Sequence, residues 1–129
     1  LGRLSCQLGE HRAAGRYLTE SLEMAREFNH PERIAEALTE LGLLRAEQGR
    51  GEEAVAHVRE ALALTTTVGA RRVETRARHA LGLLLTASGD TAAARREYAA
   101  ALELARAGED AYARKLAEAA LADIGRAAD

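Results

Sequence analysis

The sequence predicts an all-α solenoid built from antiparallel helix pairs, and three observations carry that expectation. The first is a period of 40: Leu1-Gly2, Leu41-Gly42 and Leu81-Gly82 recur in register, as do Gly9, Gly49 and Gly89, Ala14, Ala54 and Ala94, and Leu22, Leu62 and Leu102. Ser21, Ala61 and Ala101 stand immediately before the last of these columns. No insertion interrupts the three copies, so the chain is a repeat array. The second is composition. Alanine fills 30 of 129 positions, there is one proline, and the aromatic residues are three tyrosines and one phenylalanine. That favours helix, in which alanine is the best former, and makes an all-β fold untenable. The third is apolar spacing at steps of three and four throughout each copy. The length suits one domain.

Each copy reads as two helices. The first copy begins late, with residues 1–8 as the remnant of its first helix; its second helix ends at Asn29, a residue that tolerates the left-handed conformation. In the second copy Pro31 opens a helix, because its missing N–H would be unpaired in the first turn anyway. Ile34, Ala37, Leu38, Leu41 and Leu44 mark the apolar face of that helix up to Glu47. Gly49 suits the C-terminal cap, where positive φ is needed. A second helix follows from Glu52 to Thr66, with Ala54, Val55, Val58, Ala61 and Leu62 on one side, and Gly69 closes it. The third copy repeats the pair near 71–87 and 91–106, and a last helix occupies about 110–127. The array therefore divides into a partial first repeat (1–30), a second (31–70), a third (71–109) and a terminal helix (110–129).

Glycine inside a helix costs about 1 kcal/mol relative to alanine, so the Gly2, Gly42 and Gly82 column needs a compensating reason. Close approach of the paired helix supplies one, with Ala14, Ala54 and Ala94 as the small residues opposite. Ala122 takes this column in the terminal helix.

The pattern Leu-Gly, a second glycine seven residues later, alanine five beyond it and then Ala-Leu resembles the tetratricopeptide repeat over essentially the whole chain. Three features depart from the family's usual form. The period is 40 rather than 34, and six added residues make about 1.7 helical turns per copy. Arg26, Thr66 and Arg106 stand where a proline is usual, and Ser5, Arg45 and Leu85 where an aromatic residue is usual. All three fit longer helices. The resemblance implies a right-handed superhelix whose first helices line a concave wall. Long-period arrays of this kind are similar to those in bacterial transcription activators and signalling ATPases, which implies a cytoplasmic regulatory protein larger than this chain.

Catalytic and cofactor chemistry has little support. Gly49-Arg50-Gly51 lacks the Gly-Lys-Ser/Thr that would complete a phosphate loop. His11, His30, His57 and His79 show no metal-ligand spacing, and Cys6 is the only cysteine, which leaves neither a disulfide nor a cysteine-rich metal site. His11 and His30 are expected at turns and His57 on an outer face. Ser5 beside Cys6 has no identifiable His–Asp partners. Glu52-Glu53 and Glu109-Asp110 sit at helix starts, where the helix dipole accounts for them. The expectation is no enzyme, no cofactor and no metal. Lys and Arg total 18 against 20 acidic residues, a balance that speaks against direct nucleic-acid binding. No apolar run approaches the roughly 20 residues of a membrane span.

What remains is a surface that takes a protein or peptide partner. By the three-and-four register the concave wall presents Glu32, Glu36, Thr39, Leu43 and Ala46 from the second copy. Arg72, Arg76, His79, Leu83 and Thr86 come from the third copy, and Tyr112, Leu116, Ala119, Asp123 and Arg126 from the terminal helix, with Arg3 and Cys6 from the truncated copy. The wall is expected to form a partner groove with an acidic side, a basic side and an apolar floor at Leu43 and Leu83. Arg72, Arg76 and His79 share one face and are expected to form its basic strip for an acidic partner. The alternative is an oligomeriser or structural spacer acting through its ends, because Ala113, Leu116, Ala117, Ala120, Leu121 and Ile124 give the terminal helix an apolar side. Homo-oligomers through exposed ends follow from that alternative.

Overall fold

The computed structural model describes the backbone of residues 2–128 and the surroundings of the side chains of 8–126. Six helices follow one another in this span: α1 (Gly2–Glu27), α2 (Pro31–Glu47), α3 (Gly51–Val68), α4 (Arg71–Ala87), α5 (Thr91–Ala107) and α6 (Ala111–Ala128). No strand occurs among the described residues. The turns follow the repeat. Asn29, Gly69 and Glu109 share one column and all take positive φ, at 53°, 69° and 53°. Gly49 and Gly89 share another, at 79° and 90°. Pro31 stands in the first turn of α2, and the His30 ring caps that helix by accepting from the Arg33 N–H at 3.3 Å. Asp90 and Asp110 cap α5 and α6 in the same way, their carboxylates accepting from the N–H groups of Ala93 and Ala113.

One element differs from expectation. Residues before Gly9 do not form a separate helix; α1 runs unbroken for 26 residues, about 39 Å. Helical glycine costs only about 1 kcal/mol, whereas a reversal at Gly9 would break several intrahelical hydrogen bonds. In the second and third copies that loss is offset by docking a full-length first helix. Here the described residues before Gly9 supply two turns. His11 accordingly lies within a helix rather than at a turn, 3.0 Å from Glu47.

Consecutive helices pack side by side, and α2 also touches α4, as α4 touches α6. The second helices α3 and α5 do not meet. With one layer in contact and the other splayed, α2, α4 and α6 form the inner wall of the array. The core runs between the layers through Leu38, Leu41, Val58, Ala77, Leu81, Ala94, Tyr98 and Ile124.

The glycine column works as anticipated, with a different set of opposing atoms. A Cβ on Gly42 would lie 2.8 Å from Val58 Cγ2 and 3.0 Å from the Ala54 carbonyl oxygen. One on Gly82 would lie 2.5 Å from Tyr98 Cε1. Ala54 thus matters through its backbone approach to Gly42, while Val58 and Tyr98 fill the space the glycines leave. His57, expected on an outer face, is half-buried beside Gly42.

Candidate partner-binding groove

The inner wall carries a groove in two connected recesses. The first, about 470 Å³, lies between α4 and α6 and includes Leu43, Arg72, Arg76, His79, Leu83, Tyr112 and Leu116. The second, about 370 Å³, lies between α2 and α4 and is lined by Glu32, Glu36, Glu40, Arg72, Val73 and Arg76. Arg72 and Arg76 belong to both. Of the residues expected on this wall, Ala46, Thr86, Ala119, Asp123 and Arg126 line neither recess, whereas Glu32, Glu36, Leu43, Arg72, Arg76, His79, Leu83, Tyr112 and Leu116 do. Thr39 does not: it is 1% exposed and its hydroxyl donates to the Ala35 carbonyl at 2.8 Å. At this position the helix faces the core, and the back-bond to the preceding turn satisfies the one polar group. Arg3 and Cys6, like Ser5, lie outside the residues whose side chains are described.

Three large apolar side chains stand open to solvent in the first recess: Leu83 is 47% exposed, Tyr112 76% and Leu116 40%. Leu83 projects from α4 one turn beyond His79, and Tyr112 and Leu116 project from the first two turns of α6. Asp110 positions those turns through its cap on Ala113.

The basic strip is reduced by its surroundings. Arg76 pairs with Glu40 of α2, so its charge is largely neutralised. His79 is partly buried against the Tyr98 ring, with centroids 5.2 Å apart, and burial lowers its pKa from the ordinary 6.5. Burial thus favours its neutral form. Arg72 is exposed and forms no ion pair among the described residues. The groove therefore has an acidic side, as expected, at the Glu32 and Glu36 carboxylates of α2, while its basic side is reduced to the Arg72 guanidinium as the one without an ion pair among the described residues.

Glu40 and Asp110 are the functional neighbours that sequence reasoning missed. Glu40 lies one turn after Glu36, and a signal existed: Glu32 and Glu36 are repeat equivalents of Arg72 and Arg76. Opposite charges in one column of adjacent first helices face each other diagonally.

No helix is long and apolar enough to cross a membrane. Among the described residues no group of three or more His, Cys, Asp or Glu side chains is arranged to hold a metal ion.

Stacked helix pairs with a glycine-mediated interface and an open inner wall define a helical-repeat protein. The sequence profile of the tetratricopeptide repeat matches residues 1–67 and, overlapping, 33–107. The chain belongs to that family, whose repeats generally mediate protein–protein interactions. No curated protein matches the chain.

Proposed function

We propose that the chain is a non-enzymatic interaction module that captures a linear segment of a protein partner along the groove of α2, α4 and α6. The observation that carries this reading is the cluster of Leu83, Tyr112 and Leu116, exposed around a recess of about 470 Å³ beside the unpaired Arg72. Soluble surfaces seldom leave such side chains grouped without use. In this reading a bulky apolar side chain of the partner enters the recess between Leu43, Leu83 and Leu116, and Tyr112 closes over it. Arg72 takes a neighbouring carboxylate through two parallel hydrogen bonds. Glu32 and Glu36 select against an acidic residue further along, so the favoured segment is apolar with one acidic group rather than broadly acidic. Glu32, Glu36 and Arg76 set register, and His79 supports the floor. The module serves a larger cytoplasmic regulatory protein of bacterial type and makes no direct contact with nucleic acid or membrane.

Selection of a random linear peptide library on the purified chain tests this. Enriched peptides should pair a large apolar residue with Asp, Glu or a terminal carboxylate. Their affinity should fall about tenfold with Arg72→Ala, the worth of one charge-assisted contact, and by at least as much with Leu83→Glu. Helicity should be unchanged in both. Peptides of random composition, or affinities indifferent to both replacements, would refute the reading.

A further inference from the structure

The groove carries an order that the repeat register makes explicit. Equivalent positions of the inner helices form rows that cross the wall from α2 through α4 to α6. One row reads Glu32, Arg72 and Tyr112, and the next, one turn along the helices, reads Glu36, Arg76 and Leu116. Both rows pass from carboxylate to guanidinium to a large apolar side chain. All six side chains are exposed, and all six line the two recesses.

Packing of the array does not account for this order. Arg76 is held by Glu40. Glu32, Glu36 and Arg72 form no ion pair among the described residues. The helix dipole suits Glu32 in the first turn of α2, but its effect falls off before Glu36. Two carboxylates four residues apart on one face also repel each other. The unmatched charges and the exposed apolar pair thus face outward in a fixed sequence. A complementary ligand presents a cation, an anion and an apolar group in that order.

We infer that the groove takes an extended, polyproline-II-like segment with a basic, an acidic and a large apolar residue at intervals of three. The order rests on the reading above that a linear segment fills the groove. The spacing follows from two dimensions. α2 touches α4, and α4 touches α6; helices packed side by side lie about 8–10 Å apart. A polyproline II chain rises about 3.1 Å per residue with about three residues per turn. Every third residue therefore points the same way and lies about 9 Å from the last, which matches one step across the wall. The basic side chain meets Glu32 and Glu36, the acidic one meets Arg72, and the apolar one enters the recess beside Tyr112 and Leu116. A β-strand puts residues three apart on opposite faces. An α-helix covers the same span on one face only after about seven residues.

Fluorescence anisotropy on the 129-residue chain tests this order with end-blocked, labelled peptides. They carry Lys, Asp and Phe three residues apart and are made in both chain directions. The better-bound direction should have a dissociation constant at least about tenfold below that of the same peptide with Lys and Asp exchanged. Peptides with the three residues spaced by about two, four or seven should be weaker by as much. Replacing the peptide Lys by Ala should cost about tenfold against the wild-type chain and less than about threefold against Glu32→Gln combined with Glu36→Gln. Binding indifferent to order and spacing would overturn the charge order while leaving a segment-binding groove in place. Tight binding at the helical spacing alone would put a helix in the groove and overturn it equally. Binding by none of these peptides overturns the order alone if the random library still yields ligands, and the groove reading with it if the library yields none.

Discussion

Tyr98 of α5 lies against Gly82 of α4 so closely that three of its ring atoms stand within 2.8 Å of where a glycine Cβ would be. The ring is buried and has no free side to move toward. Gly82→Ala gains about 1 kcal/mol of helix propensity but overpacks the interface, and the second effect dominates. A net loss of about 2–3 kcal/mol is expected by denaturant titration. Gly82→Ala combined with Tyr98→Ala should lose less stability than the sum of the two single losses, because removing the ring removes the contact that the added Cβ overpacks. A double-mutant cycle measures that coupling, and additivity would show that the ring and the glycine do not meet.

Arg78 sits between two carboxylates, donating to Glu74 at 2.8 Å and Glu97 at 3.1 Å in the α4–α5 interface. Burial works to lower its pKa, but the hydrogen bond to Glu74 and the charge of Glu97 outweigh it and raise the value above that of an ordinary guanidinium. The guanidinium is thus held charged. Arg78→Leu leaves two largely buried carboxylates facing each other and should cost about 2 kcal/mol, discounted from the deep-interior figure because solvent reaches the cluster. The second copy carries Ile34 and Leu38 at the equivalent positions. Glu74→Ile with Arg78→Leu should therefore regain most of that loss, measured by thermal or urea unfolding.

Glu109 holds φ at 53° in a column whose other members are Asn29 and Gly69. A residue with a Cβ pays about 1–2 kcal/mol in the left-handed region, and glycine avoids most of it. Glu109→Gly should stabilise the chain by up to about 1 kcal/mol after the added freedom of the unfolded chain is counted. Gly69→Ala should destabilise by a similar amount. Equal and opposite shifts in unfolding midpoint are the expected result.

His79 gives a pH dependence with a definite sign. Burial lowers its pKa in the folded chain below the ordinary 6.5, so the unfolded chain binds the proton more readily. Its contribution is fully present above pH 6.5 and declines as pH falls through that value toward the folded pKa. His79→Gln should flatten this part of the stability profile while leaving the carboxylate-driven decline at lower pH in place. The wild-type-minus-variant difference in unfolding free energy across pH 5–8, a window of about three units around the ordinary imidazole value, isolates the effect.

The helices from α2 onward, their turns and nine of the wall residues were legible because the 40-residue register fixes both helix length and face. Arg72, Arg76, His79 and Leu83 needed only steps of four, three and four. Thr39 was misplaced because its column, which continues through His79 and Ala119, lies at the boundary between wall and core, and a one-residue rotation decides its side. The acidic and basic sides of the groove were legible, but the pairing of Arg76 was not, because Arg76 was considered with residues on its own helix. Its partner Glu40 lies 36 residues away, one repeat less one turn, and contacts of that kind follow from stacking rather than from local spacing. Of the residues expected on the apolar side of the terminal helix, Ala117 and Ile124 are buried in the array, Ala113, Ala120 and Leu121 are partly buried, and Leu116 stays exposed in the groove.

The continuity of α1 through Gly9 gives the sharpest test, because two backbone conformations at one residue predict opposite signs. In the turns at Gly49 and Gly89, φ is positive and an added Cβ is strained. Gly9 lies inside a helix, and a Cβ there would meet nothing within 4 Å. Gly9→Ala should therefore raise helicity and stabilise the chain by about 0.5–1 kcal/mol, the propensity difference alone. Gly49→Ala should cost about 1 kcal/mol or more. Were the chain to reverse at Gly9 as it does one repeat later, Gly9→Ala would destabilise like Gly49→Ala. Parallel urea titrations of the two variants read the sign directly, and a loss of stability at both positions would show that the first copy folds back like the others.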